Sequence, residues 1–161
     1  MIIGATERQR IRTVFLDRAE SYPLSEVARL TGIPPSKLRR EVRLGYRDAV
    51  KVGREWRFAW RQAVHVAMER WTLAEIQDAL GGAAVGVLPP MLALRAVTVR
   101  LPEYIVRAFE VIAAEDRTTF DAALGFELIE FAGTHLTRME GSIPGYREAY
   151  LFPTPDTLRA N

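Results

Sequence analysis

Ser36, Arg39, Arg40 and Arg43 stand at i, i+3, i+4 and i+7 in the stretch "PSKLRREVRLGYR". A helix would carry all four along one face, with Leu38 and Val42 turned the other way. Arginine offers a planar fork of donors that matches phosphate oxygens and the O6/N7 edge of guanine. Ser36 and Lys37, near the start of such a helix, suit phosphate. Arg47 follows it, and Arg54 and Arg57 lie in the next stretch, "VKVGREWRF". The chemistry this pattern can do is recognition of duplex DNA, since an α-helix fits the major groove. The plain alternative is a solvated charged face.

The charge distribution favours the first reading. The 161-residue chain has a net charge of only +2. Residues 1–80 hold fifteen basic and ten acidic side chains, and residues 81–161 hold seven and ten. Between 37 and 61 there are nine basic residues against three acids, and all but two of the 22 basic residues in the chain are Arg.

The elements that must position these residues follow from periodicity and breakers. A helix is expected over 5–20, with Ile11, Val14 and Phe15 inward, until Tyr22-Pro23 interrupts it. "LSEVARLTG" reads as a short amphipathic helix stopped by Gly32. Pro35 suits the first position of the basic helix, roughly 35–44, and Gly45 ends it. Helix, short turn and second helix make a helix-turn-helix signature. Residues 46–58 read as a hairpin around Gly53. A helix over 59–71 buries Trp60, Val64, Ala67 and Met68. The next opens on a capping box, Thr72 with Glu75. "GGAAVGVLPP" reads as a linker.

Beyond it, "VTVRL" alternates strictly, Val97, Val99 and Leu101 against Thr98 and Arg100. Pro102 then opens a helix with Ile105, Phe109, Ile112 and Ala113 on one stripe. After the break at Arg117-Thr118-Thr119, a second helix to about 136 carries Phe120, Leu124, Leu128 and Phe131. A lone strand leaves N–H and C=O groups unpaired along both edges. Two copies pairing their strands antiparallel would satisfy them, so a homodimer is expected, built on Val97, Val99, Leu101, Phe109, Leu124, Leu128 and Phe131. The tail 139–161, rich in Gly, Pro and aromatics, is expected to be irregular. Its Tyr146, Tyr150 and Phe152 are candidates for packing on the dimer or for docking a partner.

"YPLSEVARLTGIPPSKLRREVRLGYRDAVKVGREWRF" resembles the winged helix-turn-helix domains of the MerR-like and excisionase-like families. Tyr22, Leu24, Glu26, Val27, Ala28, Thr31, Gly32, Leu38, Arg39, Arg43 and Gly45 carry the resemblance. It implies a DNA-reading helix and a hairpin wing. "VTVRLPEYIVRAFEVIAAEDRTTFDAALGFELIEFA" is similar to a ribbon-helix-helix domain. That likeness implies a dimer whose outward strand residues, here Ala96, Thr98 and Arg100, can read DNA. Residues 95–138 hold five Arg against seven acids, which favours a dimerising role.

The expected fold class is mainly α with short β, a winged helix-turn-helix domain plus a ribbon-helix-helix-like dimerisation domain. The expected segments are an N-terminal helix (1–21), the winged domain (22–80), a linker (81–94), the dimerisation domain (95–138) and the tail (139–161). The absence of cysteine removes thiolate zinc sites and disulfides. No apolar run approaches the ~18 residues of a membrane span, and the first residues lack a secretory pattern. A cytoplasmic protein is therefore expected. His65 and His135 have no second ligand at metal spacing, and no phosphate loop or activated nucleophile is present. No cofactor, metal or catalytic residue is expected. The expectation is a dimeric transcriptional repressor binding a palindromic site on double-stranded DNA. The alternatives are an antitoxin that also masks a toxin protein, or an excisionase-like bending factor.

Overall fold

The computed structural model describes residues 3–153, which are mainly helical with one three-stranded antiparallel sheet. The chain divides into two compact units. One runs to Leu88 and takes in the chain again from Leu151; the other is Pro89–Tyr150.

The first unit opens with α1 (Ala5–Leu16), whose Ile11, Val14 and Phe15 are buried at the i, i+3, i+4 spacing. The helix is part of the core and not an appendage. Its polar side is tied down as well: Arg8 pairs with Asp78 at 2.8 Å, and Arg12 donates to the carbonyls of Ala79 and Leu80. Strand β1 (Ser21–Pro23) has no counterpart in the expected elements. It pairs with β3 (Glu55–Ala59), which also pairs with β2 (Val50–Val52), so the order is β1-β3-β2. Pro23 is tolerated because β1 is an edge strand.

Helix α2 (Leu24–Thr31) buries Leu24, Val27, Ala28, Leu30 and Thr31. The Thr31 hydroxyl donates to the Val27 carbonyl at 2.7 Å, which satisfies a buried polar group. Gly32 ends the helix at φ +74°, a conformation that penalises a Cβ. Helix α3 (Pro35–Arg43) starts on Pro35 and seats Leu38 and Val42 in the core. Gly53, at φ +60°, takes the first turn position of the β2–β3 hairpin, where a type II′ turn requires positive φ. Phe58 on β3 faces the core opposite Tyr22.

Helix α4 (Trp60–Arg70) buries Ala63, Val64, Val66 and Ala67. The Trp60 and Met68 side chains are half-buried. Helix α5 (Leu73–Leu80) begins with the expected capping box, Thr72 accepting from the Glu75 N–H while Glu75 accepts from the Thr72 N–H. The expected linker needs correction. Gly81–Gly86 forms a 3-10 turn, its Gly86 carbonyl accepts from Arg18 at 2.8 Å, and Leu88 is buried in the first core. Apolar Val87 and Leu88 have somewhere to pack, so this stretch does not run free.

The second unit begins with a 3-10 turn, Pro90–Leu92. The strand expected at Val97–Leu101 is not formed: residues 93–102 have no regular structure, and Val97 and Val99 are exposed. A strand needs a ladder partner, and the described residues supply none here. Helices α6 (Glu103–Glu115) and α7 (Phe120–Gly133) pack with the small Ala113 and Ala123 buried, and Phe109 meets Phe120 edge-on at 6.1 Å. Thr119 caps α7 by accepting from the Ala122 N–H. Asp116 ends α6, whereas Asp121 lies inside the first turn of α7. The second helix is shorter than expected; α8 (Leu136–Glu140) follows separately.

The tail is more regular than expected, with α9 at Tyr146–Tyr150. The Tyr146 hydroxyl donates to the Ala132 carbonyl at 2.9 Å. A Cβ on Gly133 would collide with the Tyr150 hydroxyl, so glycine makes room for that ring. The tail expectation from 154 onward lies outside the described residues.

Candidate nucleic-acid interface

The basic face of α3 is built from below. Leu38 is fully buried and Val42 nearly so, which leaves the i, i+3, i+4, i+7 set on the solvent side. Ser36, Lys37, Arg39, Arg40 and Arg43 are all exposed. Among the described residues, the side chains of Arg39, Arg40 and Arg43 have no hydrogen-bond or ion-pair partner, and neither has the Arg54 side chain in the hairpin turn. By contrast Arg8, Arg12, Arg18, Arg29 and Arg70 in the same unit are all engaged by protein oxygens. Three free guanidinium groups along one helix are a donor array that no described residue of the unit receives.

Two residues expected in this array do other work. Arg47 is not a free cation. Its side chain is 9% exposed; Nε donates to Glu41 at 2.5 Å, and the two Nη atoms fork onto the Glu69 carboxylate at 3.1 and 2.6 Å. Burial works against its charge, but the hydrogen bonds and charges of Glu69 and Glu41 outweigh it, and the net effect raises its pKa. Arg57 is half-buried. Its guanidinium donates to the Ser21 hydroxyl at 2.8 Å and to the Ser21 carbonyl, and pairs with Glu55 at 3.0 Å, so it braces β3 against β1. Lys37 lies 3.9 Å from Glu41 while its side chain stays largely in solvent.

In the same unit, Leu44, Tyr46, Val50 and Val52 are exposed apolar side chains. Lys51 lies over the Trp56 ring at 5.9 Å. The acids Glu41 and Glu69 were not singled out by the sequence. Glu69 stands 22 positions from Arg47, and no local pattern announces such a pair.

In the second unit Thr98 and Arg100 are exposed on the irregular stretch and are not brought together by any element. Of the expected dimer residues, Val97, Val99, Leu128 and Phe131 are exposed, whereas Leu101, Phe109 and Leu124 are half-buried. Phe126 and Ile129 on α7 are exposed too, so apolar side chains face solvent on more than one side of that helix. Of the aromatic set in the tail, Tyr146 is half-buried and bonded, Tyr150 is partly exposed over Gly133, and Phe152 packs against the first unit's core.

His65 is exposed, with Nε2 3.3 Å from Glu69; His135 meets Phe131 edge-on. Trp71 is buried, and its indole N–H finds no partner among the described residues. No group of three His, Cys, Asp or Glu among the described residues could hold a metal ion, and no described helix is long and apolar enough to cross a membrane. No family model, curated protein or solved structure matches this chain.

Proposed function

We propose that the first unit is a winged helix-turn-helix domain that binds double-stranded DNA in a sequence-specific way, and that the protein acts as a dimeric transcriptional repressor. Helix α3 enters the major groove, with Arg39 and Arg43 on base edges or phosphates and Ser36, Lys37 and Arg40 flanking them. The β2–β3 hairpin is the wing, and Arg54 at its tip reaches the neighbouring backbone. One observation carries this reading: Arg39, Arg40 and Arg43 share the solvent face of a helix anchored by Leu38 and Val42, and no described residue pairs with them.

The second unit holds two such domains at a fixed separation on a palindromic site. Support for a second copy comes from the exposed Val97 and Val99 on a stretch with no ladder partner among the described residues, and from the exposed apolar residues of α7. The same exposed residues would also suit a toxin protein, which keeps the antitoxin reading as the alternative.

The test is selection of bound sequences from random duplex DNA with the full chain, followed by a salt titration on the winning duplex. A steep loss of affinity with salt and a consensus with two-fold symmetry support the proposal. No enrichment and a flat salt response would remove it.

A further inference from the structure

The Arg47 clamp carries an inference beyond DNA binding itself, and it rests on that reading. Glu41 is the single acid on α3, on the helix that presents the arginine array. Left free, it would repel phosphate and offset one guanidinium. It is instead half-buried and held by Arg47, which in the same gesture grips Glu69 on α4 with both Nη atoms. A fork–fork contact fixes angle as well as distance. One buried guanidinium therefore joins the C-terminal part of α3 to α4 just beyond the Gly45 turn. We propose that Arg47 is a positioning residue: it sets the angle at which α3 presents Arg39, Arg40 and Arg43, and neutralises Glu41.

A lysine could not replace it, because an ammonium lacks the planar fork needed to serve two carboxylates at once. Arg47 also differs from a phosphate-binding arginine in a measurable way. Removing a side chain that neutralises a phosphate weakens binding to all sequences and lowers the salt slope by about 0.9. A tilted reading helix loses mainly the discrimination between sequences.

The experiment uses the full chain with Arg47→Gln and, separately, Glu69→Ala. Binding is measured on a duplex selected from random DNA and on a scrambled duplex of the same length, each across a salt series. Amide hydrogen exchange is followed over Leu38–Leu44. Glu69 is half in solvent, so its variant folds even if Arg47→Gln does not. Both variants are expected to weaken binding to the selected duplex by about tenfold, the size of one mismatched base pair. Binding to the scrambled duplex and the salt slope stay at wild-type values, and exchange in α3 quickens.

Glu69→Ala gives the sharpest sign. Removing an acid strengthens DNA binding if charge alone matters, so tighter binding by this variant overturns the proposal. A salt slope reduced by one phosphate in Arg47→Gln overturns it too, as does wild-type discrimination in both variants. If the wild-type chain binds neither duplex, the DNA reading falls by itself. Exchange then decides the clamp: quicker exchange in α3 upholds it as the tie between the helices, and unchanged exchange removes it.

Discussion

The Trp60 indole N–H donates to the Val14 carbonyl at 2.9 Å, 46 positions back along the chain. This bond ties α4, which follows the β2–β3 hairpin, to α1, which precedes the first strand. Together with Ile11, Val14 and Phe15 in the core, it makes α1 a structural member of the first unit. The expected separation of an N-terminal helix from the domain at about residue 21 has no counterpart in the packing.

That packing sets the first expectation. Phe15 is fully buried, and Phe15→Ala should cost about 3–5 kcal/mol, the usual range for a large aromatic removed from a core. Urea unfolding measures it. A loss below ~1 kcal/mol would show that α1 is dispensable.

The arginine array should respond differently. Arg39→Ala or Arg43→Ala should each lower DNA affinity by about 1–3 kcal/mol if the side chain reads a base. Both side chains are exposed and pair with no described residue, so unfolding free energy should move by less than about 0.5 kcal/mol. Lys37, Arg39, Arg40, Arg43 and Arg54 together predict a slope of log K against log salt near about −4.5 per protomer. Arg57→Ala, by contrast, should leave the slope unchanged and lower stability, since Arg57 braces β1. Fluorescence anisotropy across a salt series reads the affinities and slopes, and urea unfolding reads the stabilities.

The second unit predicts a dimer. Sedimentation of the wild-type chain should give twice its 18.2 kDa mass. Val97→Asp with Val99→Asp should give single chains, because a charge at an apolar strand face opposes pairing. A wild-type chain that sediments alone at micromolar concentration would end the proposal of a symmetric couple.

Tyr22 predicts an alkaline limit to stability. Burial is the main cause that raises its pKa above 10.0, with Asp17 and Glu26 adding to it; the Ala19 N–H donating to its hydroxyl oxygen acts the other way. The folded state therefore favours the neutral phenol. Its contribution is present below pH 10.0 and is lost as the pH rises through and above that value. Melting temperature should fall more steeply above pH 10 in the wild type than in Tyr22→Phe. Parallel curves for the two proteins would remove Tyr22 as the cause.

The sequence alone determined what one or two helical turns can decide. Leu38 and Val42 inward with the arginine row outward, the stop at Gly32, the Thr72–Glu75 box and the Gly53 turn all depend on neighbours within about four positions. Those interactions are present in any chain with that spacing, so periodicity and caps announce them. The tertiary structure alone decided the pairing of Tyr22 with Phe58, the burial of Leu88, the Trp60–Val14 bond and the fate of each arginine. Arg39 and Arg47 look alike in sequence, and only one of them has a carboxylate from a distant helix within reach. Whether a guanidinium faces solvent or is spent on the fold depends on neighbours tens of residues away, and local spacing carries no record of them.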